Sequence, residues 1–324
     1  MFTRRAALGS LAGFAALASG RVEAQTFPSR PITIVVPYPA GGPVDVVARL
    51  IANEAGADLG QAITVDNRAG ASGVLGANAV ACAEPDGHTL VLGTNQTHAT
   101  NQSLLKNCPY DAVKDFVAIA NICEIPHALV MRRMLEAVDV AALVAMAKAK
   151  PGTLNYGSTG NGSASHLAAE LFKTKAGIDM QHIPFRGAAP MTTELLAGRI
   201  DLAFATLPSV IAQIGSGDIR ALGIASAKRA ARLPNAPTLR EAGIAGVEAD
   251  AWFALFAPAK TPAPVVDRLY RAVAAVFAKD KPKELLAAQG MTLALRTPAE
   301  VAAALPAEVA KWAEVIKAAN VSVE

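Results

Sequence analysis

Two hydrophobic rhythms alternate along the chain. Short, continuous apolar runs rich in Val, Ile and Leu read as buried strands at 31–37, 62–65, 89–92, 153–156, 180–183, 200–205, 219–224 and 251–258. Between them apolar residues recur at helical spacing across 44–59, an Ala/Val stretch before 89, 138–149, 165–176 and 191–197. The tail reads as helix 265–278, a short strand at 291–295 and helix 298–319. Such alternation predicts parallel sheets covered by helices, because a parallel connection needs a crossover, usually helical. The second strand–helix set begins near Ala128. The chain therefore predicts two α/β lobes, 25–125 with 253–324 and 126–252, joined by crossings near 124–130 and 251–258.

The first residues follow a different rule. Arg4 and Arg5 precede an uncharged Ala- and Leu-rich run, and Val22-Glu23-Ala24 then offers small residues for cleavage before Gln25. That order predicts a secretory signal over 1–24, too short to span a bilayer, and places the mature protein in the periplasm. Thr3-Arg4-Arg5 leaves both the general and the twin-arginine export routes open. Roughly 300 residues remain, about two domains of chain.

Charge excludes some partners. Lys and Arg number 30 against 27 Asp and Glu, and no basic block stands out. Nucleic acid is therefore not expected as a partner. Three cysteines, Cys82, Cys108 and Cys123, form no C-x-x-C. A Cys108–Cys123 bridge and buried free thiols both stay open.

Candidate chemistry collects where strands end. The first strand runs into Pro37-Tyr38-Pro39-Ala40-Gly41-Gly42-Pro43 and then a helix. Glycines admit close backbone approach, Pro43 suits a first helical turn, and Asp45 is expected to cap its own helix and order the loop. The strand ending at Ser158 continues into Thr159-Gly160-Asn161-Gly162-Ser163-Ala164-Ser165-His166, with Ser163 as N-cap. Thr94-Asn95-Gln96-Thr97-His98 and Thr206-Leu207-Pro208-Ser209 repeat the pattern. Ligands of open α/β sheets bind outside the carboxyl ends of strands, and helix N-termini offer free N–H groups to anions. Four small, polar turns thus predict a cleft for a small anion.

Single residues carry alternatives. Arg186 suits the second carboxylate of a diacid, or an ion pair on the surface or between lobes. Trp252 and Phe253 suit an apolar cleft wall or core packing near the crossing. His98 and His166 suit hydrogen bonds to a carboxylate, or packing and capping.

Enzyme signatures are missing from the sequence. There is no G-x-S-x-G elbow, and Gly160-Asn161-Gly162 does not extend to a dinucleotide or P-loop motif. The five histidines lack zinc spacing, so neither metal nor cofactor is expected. Ser163 with His166 is read as capping before catalysis.

Several segments in order resemble the Bug proteins, solute receptors of tripartite tricarboxylate transporters. They are Pro37-Tyr-Pro-Ala-Gly-Gly-Pro-Val-Asp-Val-Val-Ala-Arg49, Val65-Asp-Asn-Arg-Ala-Gly-Ala-Ser-Gly73, Pro85-Asp-Gly-His-Thr-Leu90 and Pro109-Tyr-Asp-Ala-Val-Lys-Asp-Phe116. Gly160-Asn-Gly-Ser-Ala-Ser-His-Leu-Ala-Ala-Glu170, Ile183-Pro-Phe-Arg-Gly-Ala-Ala-Pro190, Ser226-Ala-Lys-Arg229 and Ala251-Trp-Phe continue the likeness. Phe185-Arg186 stands where that family commonly has Tyr-Lys, and Phe253 where it commonly has Tyr. The resemblance implies a type II periplasmic-binding-protein (Venus flytrap) fold with mixed sheets. It implies a non-enzymatic receptor that holds a carboxylate by main-chain amides and ordered water. Tyr38, Gly41, Gly42, Asp45, Thr94, Thr97, Ser158, Gly162, Ser163 and Thr206 carry over as family-like positions. Ala40, Asn95, His166, Arg186 and Trp252 complete the expected site. The implied partner is a set of integral-membrane transporter subunits, the protein itself being a monomer. A periplasmic hydrolase or isomerase on a similar scaffold, and a receptor for a signalling system, are the alternatives.

Overall fold

The computed structural model describes residues 27–321. The expected signal segment and Gln25 lie outside them.

The apolar runs form two open mixed sheets. In the first, β1 (Ile32–Val36) lies parallel to β2 (Ile63–Asn67) and β3 (Thr89–Thr94). Helices α1 (Pro43–Leu59) and α2 (Val74–Ala81) make the crossovers. Strand β10 (Ala251–Pro258) runs antiparallel between β3 and β4 (Phe116–Ile125), and β11 (Thr292–Arg296) closes the far edge. The order is β11-β4-β10-β3-β1-β2. In the second sheet β5 (His127–Arg132) pairs antiparallel with β8 (Leu202–Thr206) and β9 (Ile219–Ile224). Strand β6 (Asn155–Ser158) lies parallel to β7 (Gln181–Pro184) and β8, giving the order β7-β6-β8-β5-β9. This is the expected pair of α/β lobes with mixed sheets.

The stretch read only as a crossing is two strands. β4 ends at Ile125 and β5 begins at His127, so Pro126 alone separates the sheets. Nearly every residue of both strands is buried. Buried on both faces, they show no alternation to separate them from a general apolar run.

Helices α4 (Val140–Ala149), α5 (Ala164–Ala176), α6 (Ala188–Leu196) and α7 (Leu207–Ser216) cover the second sheet. Helix α8 (Ala263–Ala278) turns Leu269, Val273, Val276 and Phe277 onto the first core. Burying such a side chain stabilises by about 1.5–3 kcal/mol. Helix α9 (Asp280–Ala288) was not expected, because its short, highly charged sequence offers only Leu285 and Leu286 as large apolar residues. The last helix, α10 (Pro298–Ala318), begins at a capping box between Thr297 and Glu300. Its Trp312, Val315 and Ile316 enter the core of the second sheet, together with Ala99 and Leu104 from the segment after β3. Helix α10 and the segment after β3 therefore bridge the cores of the two sheets. All three cysteines are free.

Candidate functional site

The first turn leaves β1 at Pro37 and enters α1 behind Gly42. Gly41 holds φ +82° with open space around it, so conformation alone demands glycine there. Asp45 ties the turn together. Its Oδ2 accepts from Gly41 N and Arg49 Nε, both at 2.9 Å, and its Oδ1 accepts from Asn67 Nδ2 at 3.0 Å. The Arg49 hydrogen bond leads the causes that hold its carboxyl down at about 2, outweighing its burial. Asp45 is thus an internal brace of its turn, and the expected cap on its own helix is not formed, because its oxygens are taken by Gly41, Arg49 and Asn67. Ala40 and Gly41 are exposed, Gly42 half-buried.

The turn after β3 braces the first one. Tyr38 Oη and Thr94 Oγ1 share a hydrogen bond at 2.8 Å, and desolvation pushes the phenol up to about 12. Thr94 N donates to Thr97 Oγ1, whose hydroxyl also contacts Thr94 O and His98 Nδ1. Thr97 and His98 have no exposed surface. His98 stacks on Phe256 with centroids 4.0 Å apart, and burial lowers its pKa to about 3. It is a neutral packing ring. Asn95 is buried, and its Nδ2 has no hydrogen-bond partner. After this turn a single π-helical turn, Gln96–Thr100, runs into the short helix α3 (Asn101–Leu104).

The second glycine turn leaves β6. Ser163 caps α5, accepting from His166 N, and His166 Nδ1 accepts from Gly162 N at 3.0 Å. His166 lies 3.7 Å from His182 in a near-parallel stack. Desolvation lowers both rings to about 4, so neither brings a positive charge to an anion at neutral pH. Ser158 is fully buried; its Oγ sits 2.6 Å from His182 Nε2 and donates to Gly160 O at 3.0 Å. A serine beside a histidine is a nucleophile pattern, yet this hydroxyl has no exposed surface and holds its own turn. Thr206 stands at the N-cap position of α7, with its hydroxyl on Ser209.

The turns of both sheets reach β3 and the segment that follows it. A Cβ built on Gly162 (φ +70°) would lie 2.7 Å from the Leu104 methyls of α3. The first turn reaches the same segment through Tyr38 and Thr94. At the rim of α1, Val44 and Asp45 N–H have no acceptor among the described residues; Ala164 and Ser165 N–H are equally free in α5. Arg186 follows β7 in a loop lying against the second turn: Phe185 N donates to Ser158 O, and Phe185 O is 3.6 Å from a Cβ position on Gly160. Arg186 is exposed and makes no ion pair within 4.0 Å among the described residues. The alternative that it is spent on an ion pair is not seen.

Trp252 stands apart. It lines a cavity with Glu124, Asp250 and Leu305 that no residue of the four turns lines. Its ring also packs near Phe256. Of its two expected places, the geometry favours packing near the crossing over a cleft wall. Sequence reasoning missed His182 and Asn67 as braces. Each lies far along the chain from its partner, and no local pattern marks either.

Residues 47–321 match the model described as the tripartite tricarboxylate transporter family receptor. The protein BugT of Bordetella pertussis is 36% identical over 297 residues, 91% of each chain. A structure of Rpa4515 from R. palustris with adipate superposes with a TM-score of 0.82 at 36% identity, covering 91% of this chain and 99% of that one. MatC from Rhodopseudomonas palustris with bound malate gives 0.79 at 34% identity, covering 90% and 100%. These relatives are receptors and not enzymes, and the fold and its two glycine turns agree with that assignment. The chain belongs to the tripartite tricarboxylate transporter receptor family.

Proposed function

We propose that this receptor works in the periplasm, captures a small organic carboxylate between its lobes, and hands it unchanged to integral-membrane subunits of a tripartite tricarboxylate-type transporter. The lobes proposed to close are 25–125 with 253–324, and 126–252. The ligand's first carboxylate is held by the free N–H groups of Ala40, Gly42, Val44 and Asp45 on one side and of Ala164 and Ser165 on the other. Tyr38, Thr94, Thr97, Ser158, Gly162, Ser163, His166 and Thr206 shape and brace those turns. Asn95 supplies a side-chain amide at the cleft edge.

One observation carries the reading. Two helix N-termini with unpaired N–H groups, one on each sheet, belong to turns that both contact β3 or the segment after it, one at Thr94 and the other at Leu104. Arg186, exposed without an acidic partner, adds a bidentate donor for a second carboxylate. We infer a dicarboxylate. Relatives solved with adipate and malate support that class.

The test is a thermal-shift and calorimetric screen of mono-, di- and tricarboxylates against the native chain, with mass spectrometry of any co-purified acid. A dicarboxylate should raise the melting temperature and be recovered intact. Arg186→Gln should weaken the diacid by about tenfold or more while leaving a monoacid of equal length unchanged. Equal losses for both, or turnover of any compound, would remove the proposal.

A further inference from the structure

Away from the four turns, helix α10 and strands β4, β10 and β11 enclose a cavity of about 200 Å³. That is room for several water-sized groups. One wall is apolar: Trp252, Ala304 and Leu305. The rest is charged, with four carboxylates (Glu124, Glu248, Asp250 and Glu308) against two cations, Arg296 and Lys311.

Both cations are already committed. Arg296 is bound to Glu124. Lys311 Nζ donates to Glu248 O at 2.8 Å and stands 4.7 Å over the Trp312 ring. The Glu248 carboxylate is paired with Arg240. Of Glu308, only Oε1 is engaged, by Trp312 Nε1 at 2.6 Å. Asp250 Oδ2 accepts from Ser226 at 2.8 Å, but its Oδ1 is buried and has no hydrogen-bond partner. Burial raises the Asp250 carboxyl to about 6; Glu124 and Glu308 add to the rise, against Ser226 and Lys311. Asp250 is therefore a carboxylate short of positive charge beside an apolar wall. No trio of His, Cys, Asp or Glu among the described residues is arranged for a metal ion, so the missing charge is better matched by an organic head group.

We propose that this cavity is a second binding site, for a small organic cation: a primary ammonium whose donors meet Asp250 and Glu308 while its apolar stem lies along Trp252 and Leu305. The site is independent of the carboxylate cleft. It takes a ligand of opposite charge, and no residue of the four turns lines it.

Titration calorimetry of the full chain with n-butylammonium at pH 7.5 tests the proposal, with n-butanol as the uncharged control. Saturable binding of the ammonium and none of the alcohol is expected. Asp250→Asn should weaken it by tenfold or more, as should Ala304→Trp, which crowds the cavity from its exposed edge and keeps every carboxylate. At pH 5, where Asp250 is largely protonated, binding should also fall. Circular dichroism checks that each variant is folded; if Asp250→Asn is not, Ala304→Trp decides alone. No saturable binding at pH 7.5, equal binding of n-butanol, or undiminished binding in a folded variant would overturn it.

Discussion

The two glycine turns solve one problem with different chemistry. The turn after β1 is braced by a charge: Asp45 collects Gly41, Arg49 and Asn67. The turn after β6 is braced by neutral groups: Ser163 caps, His166 accepts from Gly162, and Ser158 meets His182. Each leaves its helix N–H groups free. The comparison teaches that a carboxylate can stand inside the proposed anion site when its lone pairs are already filled by nearby donors. Its repulsion of a ligand is offset by Arg49 and by the helix terminus. The neutral turn has no such repulsion, but it depends on two imidazoles staying unprotonated.

The largest effect should come from removing the charged brace. Asp45→Ala leaves three donors without their acceptor and should destabilise the protein by about 2–4 kcal/mol, with loss of ligand binding. Urea unfolding of the variant checks this, and a cost below about 1 kcal/mol would mean that the turn holds itself.

Acid should separate the turns. His166 and His182 titrate near 4 when folded, against 6.5 for a free ring. The unfolded chain takes up those protons first, so their stabilising contribution is complete above pH 6.5 and is lost as the pH falls towards 4. Asp45, at about 2 against 3.8, contributes fully above pH 4 and loses its part between there and 2. Hydrogen exchange at pH 7, 5 and 3 should therefore show the Gly160–His166 segment loosening before the Tyr38–Asp45 segment. Simultaneous loosening would contradict the division into neutral and charged braces.

The glycines sharpen the contrast further. Gly41→Ala meets only its left-handed backbone, a cost of about 1–2 kcal/mol. Gly162→Ala meets the same cost and also displaces Leu104 across the lobe interface, so it should unfold at the lower temperature of the two. Ser163→Ala removes an N-cap and should cost about 1 kcal/mol. Arg186→Gln, at an exposed and unpaired side chain, should change stability by less than about 0.5 kcal/mol even where it changes affinity. A larger loss would indicate that Arg186 braces its loop.

Much of the site was legible because it is local. Gly-Gly-Pro after a strand and Ser163 three residues before His166 act within one turn of chain, and the structure builds both as read; Asp45 orders its loop as expected but caps no N–H of its own helix. The candidates whose open alternatives only the fold decided are those whose partners come from elsewhere. His98 is a packing ring because Phe256 arrives from β10. Trp252 turned towards α10, the last element of the fold.

The sequence by itself determined the alternation of strands and helices, the ends of the helices, and the placing of glycine and hydroxyl residues at strand termini. Those follow from backbone conformation and neighbours a few residues apart. Only the tertiary structure decided that Asn67 completes the Asp45 brace, that His182 meets Ser158, and that Leu104 packs against Gly162. Such partners lie 22, 24 and 58 positions apart in sequence. What joins them is strand order and packing, which no pattern within one segment encodes.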